Sequence, residues 1–127
     1  MDFDYTVPTD KSFDEAVAHI VSETEKAGFR VLHIHDVKET LAKKNFSIEP
    51  LKIVEICNAR NAYQAIKSDI DFALFLPCKI NVYIKEGRTI ISGMRPSLIL
   101  KMFPDADIKE MIEEVETAIG NIIDKAK

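Results

Sequence analysis

Cys78–Met94 reads CKINVYIKEGRTIISGM. Two runs rich in branched and aromatic residues flank Lys85-Glu86-Gly87-Arg88, where Gly87 is able to take positive φ, so the segment reads as a β-hairpin with a tight turn. On its first strand Cys78, Ile80, Val82 and Ile84 share one face. Helical and strand patterns alternate on either side of this hairpin, and that mixture favours an α+β architecture.

Upstream, Phe3–Val7 alternates as a short strand that Pro8 ends. Ser12 and Glu15 have capping-box spacing, in which each side chain satisfies a free N–H of a helix's first turn. Phe13, Val17, Ile20, Val21 and Thr24 then recur at helical spacing until Gly28 supplies the stop. Residues 29–36, FRVLHIHD, alternate as a strand, a short helix follows over 37–45, and a turn surrounds Pro50. Residues 51–58, LKIVEICN, form a third strand. Its alternation sets Ile53, Glu55 and Cys57 on one face and Val54 and Ile56 on the other. Asn58 suits a helix N-cap, and 59–68 continue as that helix. Residues 71–77, DFALFLP, are a connection or a strand leading into the hairpin.

Downstream, PSLILKMF over 96–103 is a short helix that Pro104 breaks. Asp107 and Glu110 have the spacing of a second capping box. Ile108, Met111, Ile112, Val115, Ala118, Ile119, Ile122 and Ile123 then make a wide apolar stripe on a final helix. The expected fold is a single α+β domain over 1–127. It has one mixed or antiparallel sheet with helices packed mainly on one face, and a C-terminal hairpin followed by a C-terminal helix.

The totals narrow the function classes. A chain of 127 residues with 46% hydrophobic and 30% charged residues is large enough for a core of its own. Its net charge of -4 argues against a nucleic-acid partner, whose binder would carry a basic footprint. No basic cluster exceeds AKKN, and no apolar run reaches the length of a bilayer span, so no membrane partner is expected. The start, MDFDYTVPTDKSFDE, has neither a charged n-region nor an apolar h-region, which points to the cytoplasm and to reduced thiols.

Chemistry-bearing residues are few. Cys57 lies one residue before the expected N-cap, where backbone N–H groups and the helix dipole can stabilise a thiolate, with Arg60 in the first turn adding to the effect. Cys78 follows Pro77 at the start of the hairpin. Neither belongs to a C-x-x-C pair, which excludes a thioredoxin-type motif and a four-cysteine zinc site. The plainer alternative is that both are small buried hydrophobes, as free cysteines usually are. His33 and His35 share a strand face and are weak candidates for a metal pair, with Glu55, His19 or a cysteine as the third ligand. Glu55 is either a buried general base or, the favoured reading, an exposed residue or a partner of Lys79. Phe72, Phe75 and Phe103 belong to the core or an interface. Glycine-rich phosphate loops, nucleophile elbows and zincin motifs are missing, and no cofactor is expected.

The run VEICNARNAYQAIKSD followed by LPCKINVYIKEG resembles the domain of unknown function 302 family, with its E-x-C-N and L-P-C-[RK]-I-x-V-Y patterns. The flanks agree: a first helix ending in GF, and MRPSLILKMF before a final helix. Ala59 stands where that family often has proline, a residue favoured at the first helical position. The resemblance implies a small cytoplasmic α+β protein, plausibly dimeric, and no activity. It marks Glu55, Cys57, Asn58, Leu76, Pro77, Cys78 and Lys79 as members of any site. Two functions are therefore expected candidates. One is a homodimeric module binding a small molecule or a partner without catalysis. The other is a thiol-based redox or metal-binding protein using Cys57 and Cys78.

Overall fold

The computed structural model describes residues 2–127 of the chain. Among them are five strands, β1 (Asp4–Thr9), β2 (Arg30–Asp36), β3 (Leu51–Cys57), β4 (Cys78–Lys85) and β5 (Arg88–Met94). Five α-helices, α1 (Phe13–Lys26), α2 (Val37–Ala42), α3 (Ala59–Ser68), α4 (Ser97–Met102) and α5 (Lys109–Ala126), connect and cover them, and a 3-10 helix runs over Ile70–Phe75. The strands form one sheet in the order β1-β5-β4-β3-β2. Every pairing is antiparallel, so of the two expected sheet types the antiparallel one is present. The quoted hairpin turns through Glu86 and Gly87, both at positive φ, as its two-residue loop requires.

One face of the sheet carries the core. Val7, Val54, Ile56, Ile80, Val82 and Ile91 pack there against Ala16, Val17 and Ile20 of α1 and against Val115, Ile119, Ile122 and Ile123 of α5. Helix α1 begins at Ser12, whose hydroxyl accepts from the Glu15 N–H at 3.2 Å. It ends in a Schellman arrangement: Gly28 at φ 83° donates to the Glu25 carbonyl, and Phe29 donates to the Thr24 carbonyl. Lys11 donates to the carbonyls of Ala126 and Lys127, placing a cation on the C-terminal end of α5. Tyr5 donates to Asp124, which ties β1 to the same helix.

Four local expectations need correction. β1 does not stop at Pro8 but runs to Thr9, because an edge strand has only one paired side and tolerates a residue without an N–H. Residues 71–77 hold no strand. Asp69 accepts from the Asp71 N–H and starts the 3-10 helix instead. Asp107 and Glu110 form no capping box, since α5 begins at Lys109 with Ile108 at the N-cap and no side-chain cap bond. The helix expected over 37–45 is shorter, and its cap is Asp36, which accepts from the Glu39 N–H at 3.0 Å.

Helix α5 bridges two apolar clusters. Its second half lies on the sheet, while Ile108, Met111 and Ile112 meet Ala65 of α3, Phe72 and Phe75 of the 3-10 helix, and Ile99 and Leu100 of α4. The smaller cluster sits beyond one end of the sheet, where β3 finishes and β4 starts. There Phe103, 40% exposed, packs edge-on against Phe72 and Phe75 at 5.4 and 6.0 Å between ring centres, so Phe72 and Phe75 belong to the cluster and Phe103 borders it.

Candidate functional site: an apolar cavity at the end of the sheet

Between the sheet end and the smaller cluster lies a cavity. Phe29, Ile56, Cys57 and Cys78 form its sheet wall, and Asn58, Asn61, Ala62 and Ala65 of the α3 region form a second. Phe72, Phe75 and Leu76 close it from the 3-10 segment, and Ile108, Met111, Ile112 and Val115 from α5. The space open to the centre of a water molecule is about 60 Å³. One water needs roughly 10–15 Å³ of such space, so the cavity holds a small molecule of several atoms. Its lining is almost wholly aliphatic, aromatic and thiol, with Asn58 and Asn61 as the polar exceptions.

Local chemistry explains why these side chains arrive together. Asn58 caps α3 by accepting from the Asn61 N–H at 3.1 Å, and its amide N–H reaches the Gly28 carbonyl at 3.5 Å. The same residue thus starts one helix and anchors it to the end of another, holding α3 against Phe29. Loss of the cap in Asn58→Ala is expected to cost about 1 kcal/mol of stability in urea titrations. An unchanged transition midpoint would refute the anchoring role.

The candidate residues divide into two groups. Cys57, Asn58, Leu76 and Cys78 line the cavity, and Pro77 stands between two of them in a cis Leu76–Pro77 peptide. Glu55 and Lys79 are cross-strand neighbours on the opposite face of the sheet, away from the core. There Glu55 pairs with His35 at 3.2 Å. The expected partner, Lys79, lies opposite Glu55 on β4, but the ion pair is made with His35 instead, and Glu55 is half-buried, not exposed. His33 stacks edge-on against His35 at 4.4 Å. Among the described residues no group of three His, Cys, Asp or Glu side chains is arranged to hold a metal ion. Arg60 is exposed on the first turn of α3.

The thiols are free, and both border the same space. Register explains their approach: Cys78 lies directly opposite Ile56, so Cys57 is the next residue along the neighbouring strand. Burial pushes the Cys78 thiol up to about 11, the nearby Cys57 adds to the rise, and the Lys79 ammonium opposes it. A thiol with a raised folded-state pKa stays protonated in the folded chain while the unfolded chain ionises. Its contribution is therefore intact below about pH 9 and is lost as pH rises toward about 11, up to roughly 2–3 kcal/mol. Cys78→Val is expected to flatten this part of the stability–pH curve. Parallel curves for both proteins above pH 9 would contradict the assignment.

What sequence reasoning missed is the enclosure. Phe29, Ala62, Phe72, Ile108 and Met111 come from four separate stretches of chain, and each looks like ordinary core in its own segment.

The family model described as domain of unknown function DUF302 matches residues 5–126. No curated protein matches the chain. Among solved structures, the crystal structure of an uncharacterized conserved protein DUF302 from Bacillus stearothermophilus is similar over 100% of both chains, with a TM-score of 0.93 and 28% sequence identity.

Proposed function

Because the chain belongs to the DUF302 family, which is named for its unknown function, we propose a function from the cavity itself: a homodimeric module that binds a small apolar molecule and performs no chemistry. The observation that supports it is a recessed, partly open apolar space with only two amides on its wall. Such a pocket, with few polar groups to orient an occupant, is the usual form of a small-molecule site. The raised Cys78 thiol counts against redox chemistry, which uses thiolates at neutral pH. The resulting picture is one of Cys57 and Cys78 acting as soft, polarizable wall atoms.

The affinity follows from size. Fully burying six carbon atoms at about 0.8 kcal/mol each gives roughly 5 kcal/mol, and the space of about 60 Å³ is smaller than the roughly 150 Å³ that encloses benzene, so a ligand such as benzene is expected to bind no tighter than about 0.1–1 mM. At ten times that concentration the ligand is expected to raise the unfolding free energy by about 1.4 kcal/mol. Urea titrations with and without benzene read this directly. An unfolding midpoint indifferent to benzene, and to the larger probes indole and cyclohexane, refutes ligand binding.

A further inference from the structure

The chain has two cysteines and four methionines, and Cys57, Cys78, Met94 and Met111 all border the one cavity. Sulfur gathers there from four separate elements, β3, β4, β5 and α5. Register brings the two thiols close, since Cys57 lies one residue along from the position opposite Cys78. Strands about 4.8 Å apart and a rise of about 3.3 Å per residue separate their Cα atoms by roughly 6 Å. Two thiolates on one ion, at metal–sulfur distances of about 2.3 Å, stand up to roughly 4.6 Å apart, a span within reach of side chains so placed. Met111 comes from α5, half-buried and packed against the same cluster as Cys78.

The donor set selects the ion. A structural zinc ion takes four ligands from cysteine, histidine and carboxylate, and the cavity lining offers two thiols with no imidazole and no carboxylate. An iron–sulfur cluster takes four protein ligands, chiefly cysteine thiolates, twice the number of cysteines in the chain. Thiolate and thioether sulfur together suit Cu(I). We propose that Cys57, Cys78 and the Met111 thioether bind one Cu(I) ion on the cavity wall. The proposal goes beyond the apolar reading above and does not rest on it, although both use the same cavity. Binding replaces two S–H bonds with two S–Cu bonds and releases two protons, with no change of oxidation state. The bound site carries one net negative charge. Helix α3 begins beside it at Asn58, and the N–H groups of its first turn favour an anion at that end.

Anaerobic titration of the full chain with Cu(I), in competition with a chromogenic Cu(I) chelator, tests this. The wild type is expected to hold one equivalent. Losing a residue that merely supports a metal ligand costs about 10–100-fold in affinity, so losing a ligand itself, in Cys57→Ala or Cys78→Ala, is expected to cost at least about a hundredfold. Met111→Leu keeps the side-chain volume and is expected to weaken binding about tenfold. Met102→Leu, on an exposed methionine outside the cavity lining, is expected to leave it unchanged. Circular dichroism of each variant verifies the fold. A wild type that binds no copper, or more than one equivalent, overturns the site. So does a single-cysteine variant that holds copper as well as the wild type, or equal affinity in Met111→Leu and Met102→Leu. These readings use copper alone: a protein that responds to benzene and not to Cu(I) keeps the apolar reading and loses this one.

Discussion

Ile123→Ala is expected to lower the unfolding free energy by about 3–4 kcal/mol, within the range of roughly 2–5 kcal/mol for truncating a fully buried branched side chain. Ile123 is fully buried and belongs to the cluster that fastens α5 to the sheet. The reason for expecting so large a loss is the closeness of the contact. Gly93 of β5 lies beneath the helix, and a Cβ there would stand 3.0 Å from Ile119 Cγ2 and from Ile123 Cδ1. The helix rests on bare backbone at that point. Gly93→Ala alone is therefore expected to destabilise by about 1–2 kcal/mol through overpacking. In the Ile123→Ala background the same methyl enters vacated space, so the double variant is expected to be more stable than the sum of the two losses. Urea unfolding of all four proteins measures the coupling. Strict additivity would show that helix and strand do not share this contact.

The second large effect concerns the cavity. Ala62 of α3 is half-buried and lines it. Replacing it by phenylalanine is expected to fill the space that a ligand would use, weakening benzene binding at least tenfold. Because Ala62 is half-buried and not packed in the core, stability is expected to fall by no more than about 1–1.5 kcal/mol. Titration of wild type and Ala62→Phe followed by chemical-shift changes of the cavity methyl groups separates the outcomes. Equal affinities would place the ligand elsewhere on the protein. The pH profile of Cys78 adds a further check, since an occupant that keeps water from the thiol is expected to hold its pKa high.

Much of this architecture was legible in the residues. The hairpin of Cys78–Met94, the Ser12 cap, the Gly28 stop and the Asn58 cap are local devices, and each depends on residues within a few positions of one another. The C-terminal stripe was legible for the same reason, although nothing in its spacing said that α5 would divide its apolar face between two clusters. Segments whose form depends on distant partners were not legible. Pro8 reads as a stop until its strand proves to lie at an edge. The run 71–77 is apolar enough for a strand, yet it folds as a 3-10 helix because Phe72 and Phe75 are drawn into a cluster with α3, α4 and α5. Asp107 has the right spacing for a cap, but α5 starts too late to use it.

The candidate site was legible only by half. The motif residues Cys57, Asn58 and Cys78 do border one cavity, as convergence of β3 and β4 required. Lys79, next to Cys78, turns to the opposite face because strand side chains alternate, and Glu55 lies on that face beside it. Cys57, which alternation sets on the Glu55 face, borders the cavity instead, at the last residue of β3. The cavity's remaining walls come from residues that carry no chemical signature. Aliphatic and aromatic side chains announce burial, and only the three-dimensional arrangement distinguishes a filled core from a hollow one.

A crystal of the protein soaked in iodobenzene shows whether the cavity at the sheet end receives a small apolar molecule. An anomalous iodine peak bordered by Cys57, Cys78, Phe72 and Ile112 is expected, together with its disappearance in Ala62→Phe. An empty cavity in crystals where iodobenzene binds only at the surface would contradict it.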